Sequence, residues 1–141
     1  MAIKQLTVFV ENKQGRLVEI TEMLASASID MSALSIADTR DFGILRLIVS
    51  DTEKAREVLT ENGVLVRITE VVGVKLSDKP GELSRALSAL DRAGINLEYL
   101  YAFLAVNGHS AYVALRVENN EAAEAVLREA GFEMVTEQDI K

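Results

Sequence analysis

The 141-residue sequence contains no cysteine and no tryptophan, one histidine, one proline and few aromatic residues. Without cysteine there is no disulfide framework, no thiolate metal site and no thiol nucleophile. With His109 as the one histidine, a nucleophile–base pair or a transition-metal centre is poorly supported. Placed directly after Asn107-Gly108, His109 reads as an exposed hairpin residue. Long apolar runs are also missing. Met1-Ala2-Ile3-Lys4-Gln5-Leu6 has neither the apolar stretch nor the cleavage site of a leader, and no later segment is long enough to span a bilayer. A cytoplasmic location is therefore expected. Positive charge is in deficit, with 15 Lys and Arg against 22 Asp and Glu and a net charge of −7. The imbalance is uneven: eight basic against ten acidic residues in 1–69, and seven against twelve in 70–141. This disfavours nucleic-acid and anionic-membrane partners, which require a basic stripe, but leaves room for a local cationic pocket. Gly-rich phosphate loops are absent, and nothing calls for a cofactor or a metal.

What is present is a real core, since 49% of the residues are apolar, and a repeat. An offset of 66 lays Asn12 on Asp78, Lys13 on Lys79, Gly15 on Gly81 and Leu17 on Leu83, and continues through Leu24 on Leu90 and Ile29 on Ile95. Beyond the central hairpin the offset becomes 68, laying Leu59 on Leu127 and Gly63 on Gly131. Loops absorb such two-residue insertions at little cost. The sequence therefore divides into a first unit, 1–69, and a second, 70–141. No Pro-, Ser- or Gly-rich linker separates them.

Each copy reads strand–helix–strand–strand–helix–strand. In the first, Gln5–Glu11 alternates as a strand, and Leu17, Ile20, Met23, Leu24 and Ala27 recur at helical spacing. Ile29–Thr39 and Phe42–Ser50 are strands joined through Arg40-Asp41. Ser50-Asp51-Thr52-Glu53 has capping-box spacing ahead of a helix with Ala55, Val58 and Leu59 buried, Gly63 stops that helix, and Val64–Thr69 closes the copy. In the second, Val71–Ser77 is a strand, and Leu83, Ala86, Leu87 and Leu90 line a helix ending at Gly94. Ile95–Val106 and Ser110–Val117 flank the tight turn Asn107-Gly108. Ala122, Ala123, Val126 and Leu127 form the last stripe, with Glu121, Glu124 and Glu129 on a solvated face, and Phe132–Thr136 is the final strand. The expected fold class is α+β: two ferredoxin-like βαββαβ units, each with strand order 4-1-3-2 and its helices on one sheet face.

The chemistry sits in the first turn of each copy. In Asp78-Lys79-Pro80-Gly81-Glu82-Leu83, proline and glycine pre-shape a strand-to-helix turn. The helix start offers N–H groups and partial positive charge to a carboxylate, while Asp78 offers acceptors to an ammonium. Such a turn suits the backbone end of an amino acid; the same residues also satisfy turn geometry alone.

This turn, followed by Ala93-Gly94-Ile95-Asn96-Leu97, resembles the ACT domain family. The first copy resembles it through Asn12-Lys13-Gln14-Gly15-Arg16-Leu17 and Ser28-Ile29-Asp30-Met31, departing at Gln14 for proline and Ser28 for glycine. The resemblance covers the whole chain as two tandem ACT domains. It implies a non-catalytic regulatory module binding a small ligand, usually an amino acid. It also implies units joined side by side through their second strands into one eight-stranded antiparallel sheet. Each ligand would lie between the first turn of one unit and the start of strand two of the other. One site would then combine Asn12, Lys13, Gln14, Gly15, Arg16 and Leu17 with Asn96 and Leu97. A second, weaker one would combine Asp78, Lys79, Pro80, Gly81, Glu82 and Leu83 with Asp30 and Met31. Asn12 and Asn96 can each donate and accept, whereas Asp78, Asp30 and Glu82 would repel a carboxylate, so the first site is expected to be the better one. Tyr99, Tyr101 and Phe103 alternate along strand two of the second unit, opposite the small counterparts Ala33, Ser35 and Ala37. Tyr99 and Tyr101 are candidates for side-chain selection, although an ordinary core stripe reads the same way. The associations expected are a small-molecule amino acid, a homodimer through exposed edge strands, and a regulated enzyme or protein. The competing readings are a ligand-free oligomerisation module and an acylphosphatase-like enzyme, whose phosphate-cradling loop neither turn resembles.

Overall fold

Alternating apolar residues give β1 (Ile3–Glu11), whose Leu6, Val8 and Val10 are buried. The computed structural model describes residues 2–38, 41–104 and 110–140. Thr39 and Arg40 of the first expected hairpin, and Ala105, Val106, Asn107, Gly108 and His109 of the second, lie outside the described residues. The chain divides into two compact units, Lys4–Thr69 and Glu70–Lys141, the latter joined by Met1–Ile3.

Unit one continues with α1 (Arg16–Ser26), β2 (Met31–Asp38), β3 (Phe42–Val49), α2 (Thr52–Glu61) and β4 (Leu65–Ser77). Its strand order is β2-β3-β1-β4, so β2 is the outer strand. β1 and β2 each run antiparallel to β3, pairing Val8 and Ile36 with Leu45. Ile20 and Leu24 of α1, and Ala55 and Leu59 of α2, close over Leu6, Val8, Leu45 and Leu47 to form the core.

Unit two comprises the second half of β4, α3 (Glu82–Arg92), β5 (Leu97–Leu104), β6 (Ser110–Val117), α4 (Asn120–Glu129), β7 (Glu133–Met134) and α5 (Glu137–Ile140). Its order is β7-β4-β6-β5, again 4-1-3-2. Ala86, Leu90, Ala123 and Leu127 pack from the helices onto Val72, Val74, Val113 and Leu115.

Several expectations change. Among the described residues there are seven strands rather than eight, because Leu65–Ser77 is one continuous strand serving both copies; with no Pro or Gly at 69–72, nothing interrupts it. The cap of α2 is Asp51, which accepts from Lys54 N at 3.1 Å. Ser50 instead accepts from Asp30 N at 3.0 Å and ties strand two to strand three. Along α4 the buried residues are Ala123, Glu124 and Leu127, while Ala122 is exposed. Glu124 therefore lies inside, 4% exposed and 3.9 Å from Arg128, rather than on the solvated face. The last strand shrinks to two residues.

That short strand has a physical cause in Gly73. A Cβ there would collide with the Ile3 side chain and lie 2.8 Å from Val135 Cβ, so the chain beyond Met134 crosses against bare backbone. Val135 N donates to Gly73 O at 2.7 Å, and α5 follows. Asp139 holds that turn by accepting from Thr136 N at 2.7 Å and lies 3.5 Å from Lys75 Nζ.

Candidate functional site

Both first turns are built alike. α1 and α3 are preceded by Gly15 and Gly81 in left-handed conformation, φ 86° and 89°, where a side chain would be strained. Neither helix has a side-chain cap on its first turn, so each start presents amide donors outward. Lys13 N and Lys79 N bond back to Glu11 O and Ser77 O at 2.9 Å, shaping the same loop twice.

Their surroundings differ. In unit one, Asn12 N donates to Asp41 O at 3.0 Å, bringing the turn against the β2–β3 end of the sheet. A recess of about 140 Å³ lies there, with Val10, Leu17, Ile36 and Leu45 as apolar walls and Asn12 and Lys13 at the polar edge. Gly43, paired with Val10, lines this hollow with bare backbone; a Cβ there would meet Ile36 Cγ2 at 3.7 Å, an ordinary contact. Gln14 and Gly15 are exposed, and the Arg16 guanidinium is held by Glu19 at 2.9 Å. Lys13 has no ion pair among the described residues.

In unit two, Asp78, Lys79, Pro80 and Gly81 are exposed, and Leu83 is partly uncovered. Glu82 is bound by Arg85, at 3.3 Å. The Arg85 hydrogen bonds, helped by Ser77 and Lys79 and opposed by desolvation, lower the Glu82 pKa from its ordinary value. Arg85 also donates to Ala130 O at 2.8 Å and stacks 4.0 Å from the Phe132 ring centre. The expected repulsion by Glu82 is thus offset by a cation that sequence reading missed. The i, i+3 spacing of Glu82 and Arg85 was the available signal.

The strand-two residues lie at the other end of each unit. Asp30 is exposed beside Ser50, while Met31 packs towards the unit-one core. Leu97 packs towards the unit-two core. Asn96 is exposed at a recess of about 570 Å³, also lined by Glu98, Arg116, Glu118 and Asn119. Strand alternation puts Tyr99, Tyr101 and Phe103 on the sheet face away from the helices. Tyr101 and Phe103 are buried, Tyr99 is half-buried, and Phe103 meets Tyr112 edge-on at 5.5 Å. Ile36, Gly43 and the four charged or amide residues beside Asn96 were not foreseen, because their roles depend on register and on loops meeting in space.

Among the described residues no group of His, Cys, Asp or Glu is placed to hold a metal ion, and no helix is long and apolar enough to cross a membrane.

Two βαββαβ units, each with an uncapped helix start after a glycine turn, define a doubled ferredoxin-like α+β fold. The chain belongs to the ACT domain pair family, which matches residues 1–141. It is similar to protein BT0572 from Bacteroides thetaiotaomicron, at 44% identity over 99% of this chain and 96% of that one, with a TM-score of 0.92. The fold is shared with the regulatory subunit of aspartate kinase from Thermus thermophilus, at 17% identity over 91% and 92% of the chains and a TM-score of 0.66. The corresponding subunit from Thermus flavus gives 17%, 90%, 91% and 0.61. No curated protein matches the chain.

Proposed function

We propose that this ACT domain pair is a non-catalytic sensor that binds an amino acid and passes its presence to a regulated enzyme or protein. One ACT domain is assigned to 1–69 and the other to 70–141, with the cytoplasm as the location and no nucleic acid or membrane as partner. The observation that carries the reading is the Asn12–Leu17 turn. An uncapped helix start, the Lys13 ammonium and the Asn12 amide border a small apolar hollow, which suits a carboxylate with a short apolar group behind it. Its volume is below the roughly 300–1,000 Å³ of complete small-molecule sites, so this turn supplies part of a site. Asn96 is assigned to ligand binding as a further amide contact. Tyr99 and Tyr101 are assigned to side-chain selection, and Asp78–Leu83, Asp30 and Met31 to weaker binding.

A thermal-shift screen against the common amino acids tests this. A ligand at about 100 times its Kd stabilises by about 2.7 kcal/mol, roughly 5–10 °C for a chain of this size. The response should vanish in Asn12→Ala and Asn96→Ala and persist in Asp78→Ala; the reverse pattern would refute the assignment. No shift with any amino acid would favour a second reading, a ligand-free oligomerisation module. The observation behind that alternative is the outer strand β2, where Leu34 and Ile36 are 54% and 51% exposed.

A further inference from the structure

The two units share a scaffold, so a place where they diverge together in structure and in chemistry asks for a cause other than folding. That place is the end of each unit away from its first turn, where the link into strand two meets the link out of strand three. In unit one these links are closed. Asp30 N donates to Ser50 Oγ at 3.0 Å, and Ser50 N donates to Asp30 O at 2.9 Å. In unit two the equivalent positions hold Asn96 and Glu118, and the recess of about 570 Å³ lies there. Three long polar side chains line it where unit one has short or apolar ones: Glu98 in place of Ser32, Arg116 in place of the buried Ile48, and Glu118 in place of Ser50.

The charges in this recess do not cancel. Arg116 is occupied: its Nε lies 3.7 Å from Glu98, and its Nη1 donates to Val117 O at 2.9 Å and to Glu70 O at 3.5 Å. Glu118 is exposed and has no ion pair among the described residues. The partial positive charge of the α4 start is tempered by Asn119, whose side chain accepts from Ala122 N at 3.0 Å, and by Glu121 in the first turn. What remains is one uncompensated carboxylate, a second carboxylate shared with arginine, and the Asn96 carboxamide. Three acceptors around a cavity match the three donors of a primary ammonium. The volume falls within the roughly 300–1,000 Å³ of small-molecule sites.

We propose that this recess binds a small molecule through a primary alkylammonium group, with Glu118 as its principal acceptor and Glu98 and Asn96 beside it. This goes beyond the amino-acid reading, because it requires neither the Asn12 turn nor a ligand carboxylate. Titrating the ¹⁵N-labelled full chain with cadaverine tests it by NMR. Saturable shifts should be confined to residues 94–98 and 116–119. Glu118→Gln should weaken them about tenfold while leaving the rest of the spectrum unchanged, as loss of one charged hydrogen-bond acceptor requires. Arg116→Ile, which installs the unit-one residue and releases Glu98 from its partner, should tighten binding.

Lysine binding here while norleucine, which keeps the α-ammonium but lacks the ε-ammonium, does not would identify the side-chain ammonium as the recognised group in an amino acid too. Cadaverine shifts reproduced by sodium chloride at equal ionic strength, or undiminished in Glu118→Gln, would overturn the proposal. If no amino acid stabilises the protein but cadaverine still binds, the sensor reading fails and this one stands.

Discussion

The two first turns carry the same ion pair with its signs exchanged. Unit one has Arg16 bonded to Glu19; unit two, 66 residues on, has Glu82 bonded to Arg85. A surface i, i+3 pair contributes little in either direction, and in unit one it ends there. In unit two the cation lies one turn further along the helix, where it also reaches Ala130 O and the Phe132 ring. Exchanging the signs therefore turned a surface pair into a brace between the start of α3 and the end of α4. The unit-one turn lacks this brace and borders an open hollow. Duplication has left one copy with the more strongly fixed turn and the other with the more accessible one.

A larger contrast lies on β1 and β4. Gly73 corresponds to Thr7, whose hydroxyl accepts from Gln5 Nε2 at 3.0 Å and meets Thr69 Oγ1 at 3.3 Å. One position holds a hydrogen-bonding side chain in unit one and tolerates none in unit two. Gly73→Ala should destabilise unit two by about 2 kcal/mol, since Val135 and Ile3 must both move. Thr7→Gly should cost about 1 kcal/mol in unit one, through lost hydrogen bonds and added chain entropy. Urea unfolding of the two variants measures both. Equal effects would show that the close approach at Gly73 relaxes freely.

The brace is next. Arg85→Met should destabilise by about 1–2 kcal/mol, losing the carbonyl bond and the ring contact together. Glu19→Gln, its unit-one counterpart, should change stability by less than about 0.5 kcal/mol. Hydrogen exchange should report faster opening around Ala130–Phe132 in the first variant alone.

The repeat, the helix stripes and both glycine turns were legible because they depend on neighbours along the chain: Leu24 and Leu90, Gly15 and Gly81 show their roles through spacing. Glu124 was misplaced because its burial is set by what covers α4, which helical periodicity does not report. The capping-box reading failed by one residue because Ser50 had a competing partner in Asp30, distant in sequence. α5 escaped notice because four residues are too few for a periodic signal. The recess beside Asn96 was illegible because Glu98, Arg116 and Glu118 meet only once two strands and two links are assembled.

The C-terminal turn gives a pH-dependent contrast, since unit one continues along β4 at the place where unit two ends in α5. The Asp139 carboxyl is held below its ordinary value of 3.8, first by the Thr136 backbone N–H, against desolvation, then by the Thr136 hydroxyl and Lys75. The Lys75 pKa is raised: desolvation opposes the change, but the Asp139 charge and the Asp139 and Glu133 hydrogen bonds outweigh it. A carboxyl with a depressed folded pKa contributes stability that is present above its unfolded value and lost as pH falls through the folded one. The α5 turn should thus loosen below about pH 4, and its amide protection should fall there before that of β1–β3. Asp139→Asn should remove that pH dependence and cost about 1 kcal/mol at neutral pH.

The smallest expected effect distinguishes the copies most cleanly. Ser28 has φ 59°, the one left-handed non-glycine residue among those described, and its counterpart Gly94 has φ 72°. Both follow the end of a first helix and both precede strand two, so the backbone path is common while the residue that suits it is present only in unit two. A side chain in this conformation costs of order 1 kcal/mol, part of which glycine returns through the entropy of the unfolded chain. Ser28→Gly should therefore stabilise unit one by about 0.5 kcal/mol, and Gly94→Ser should destabilise unit two by a similar amount. Asp30 and Asn96 lie two residues on, so both changes should also be examined for ligand response. If Ser28→Gly destabilises instead, the serine hydroxyl supplies a contact that outweighs the strained backbone, and the departure from glycine is an adaptation of unit one rather than a residue it tolerates.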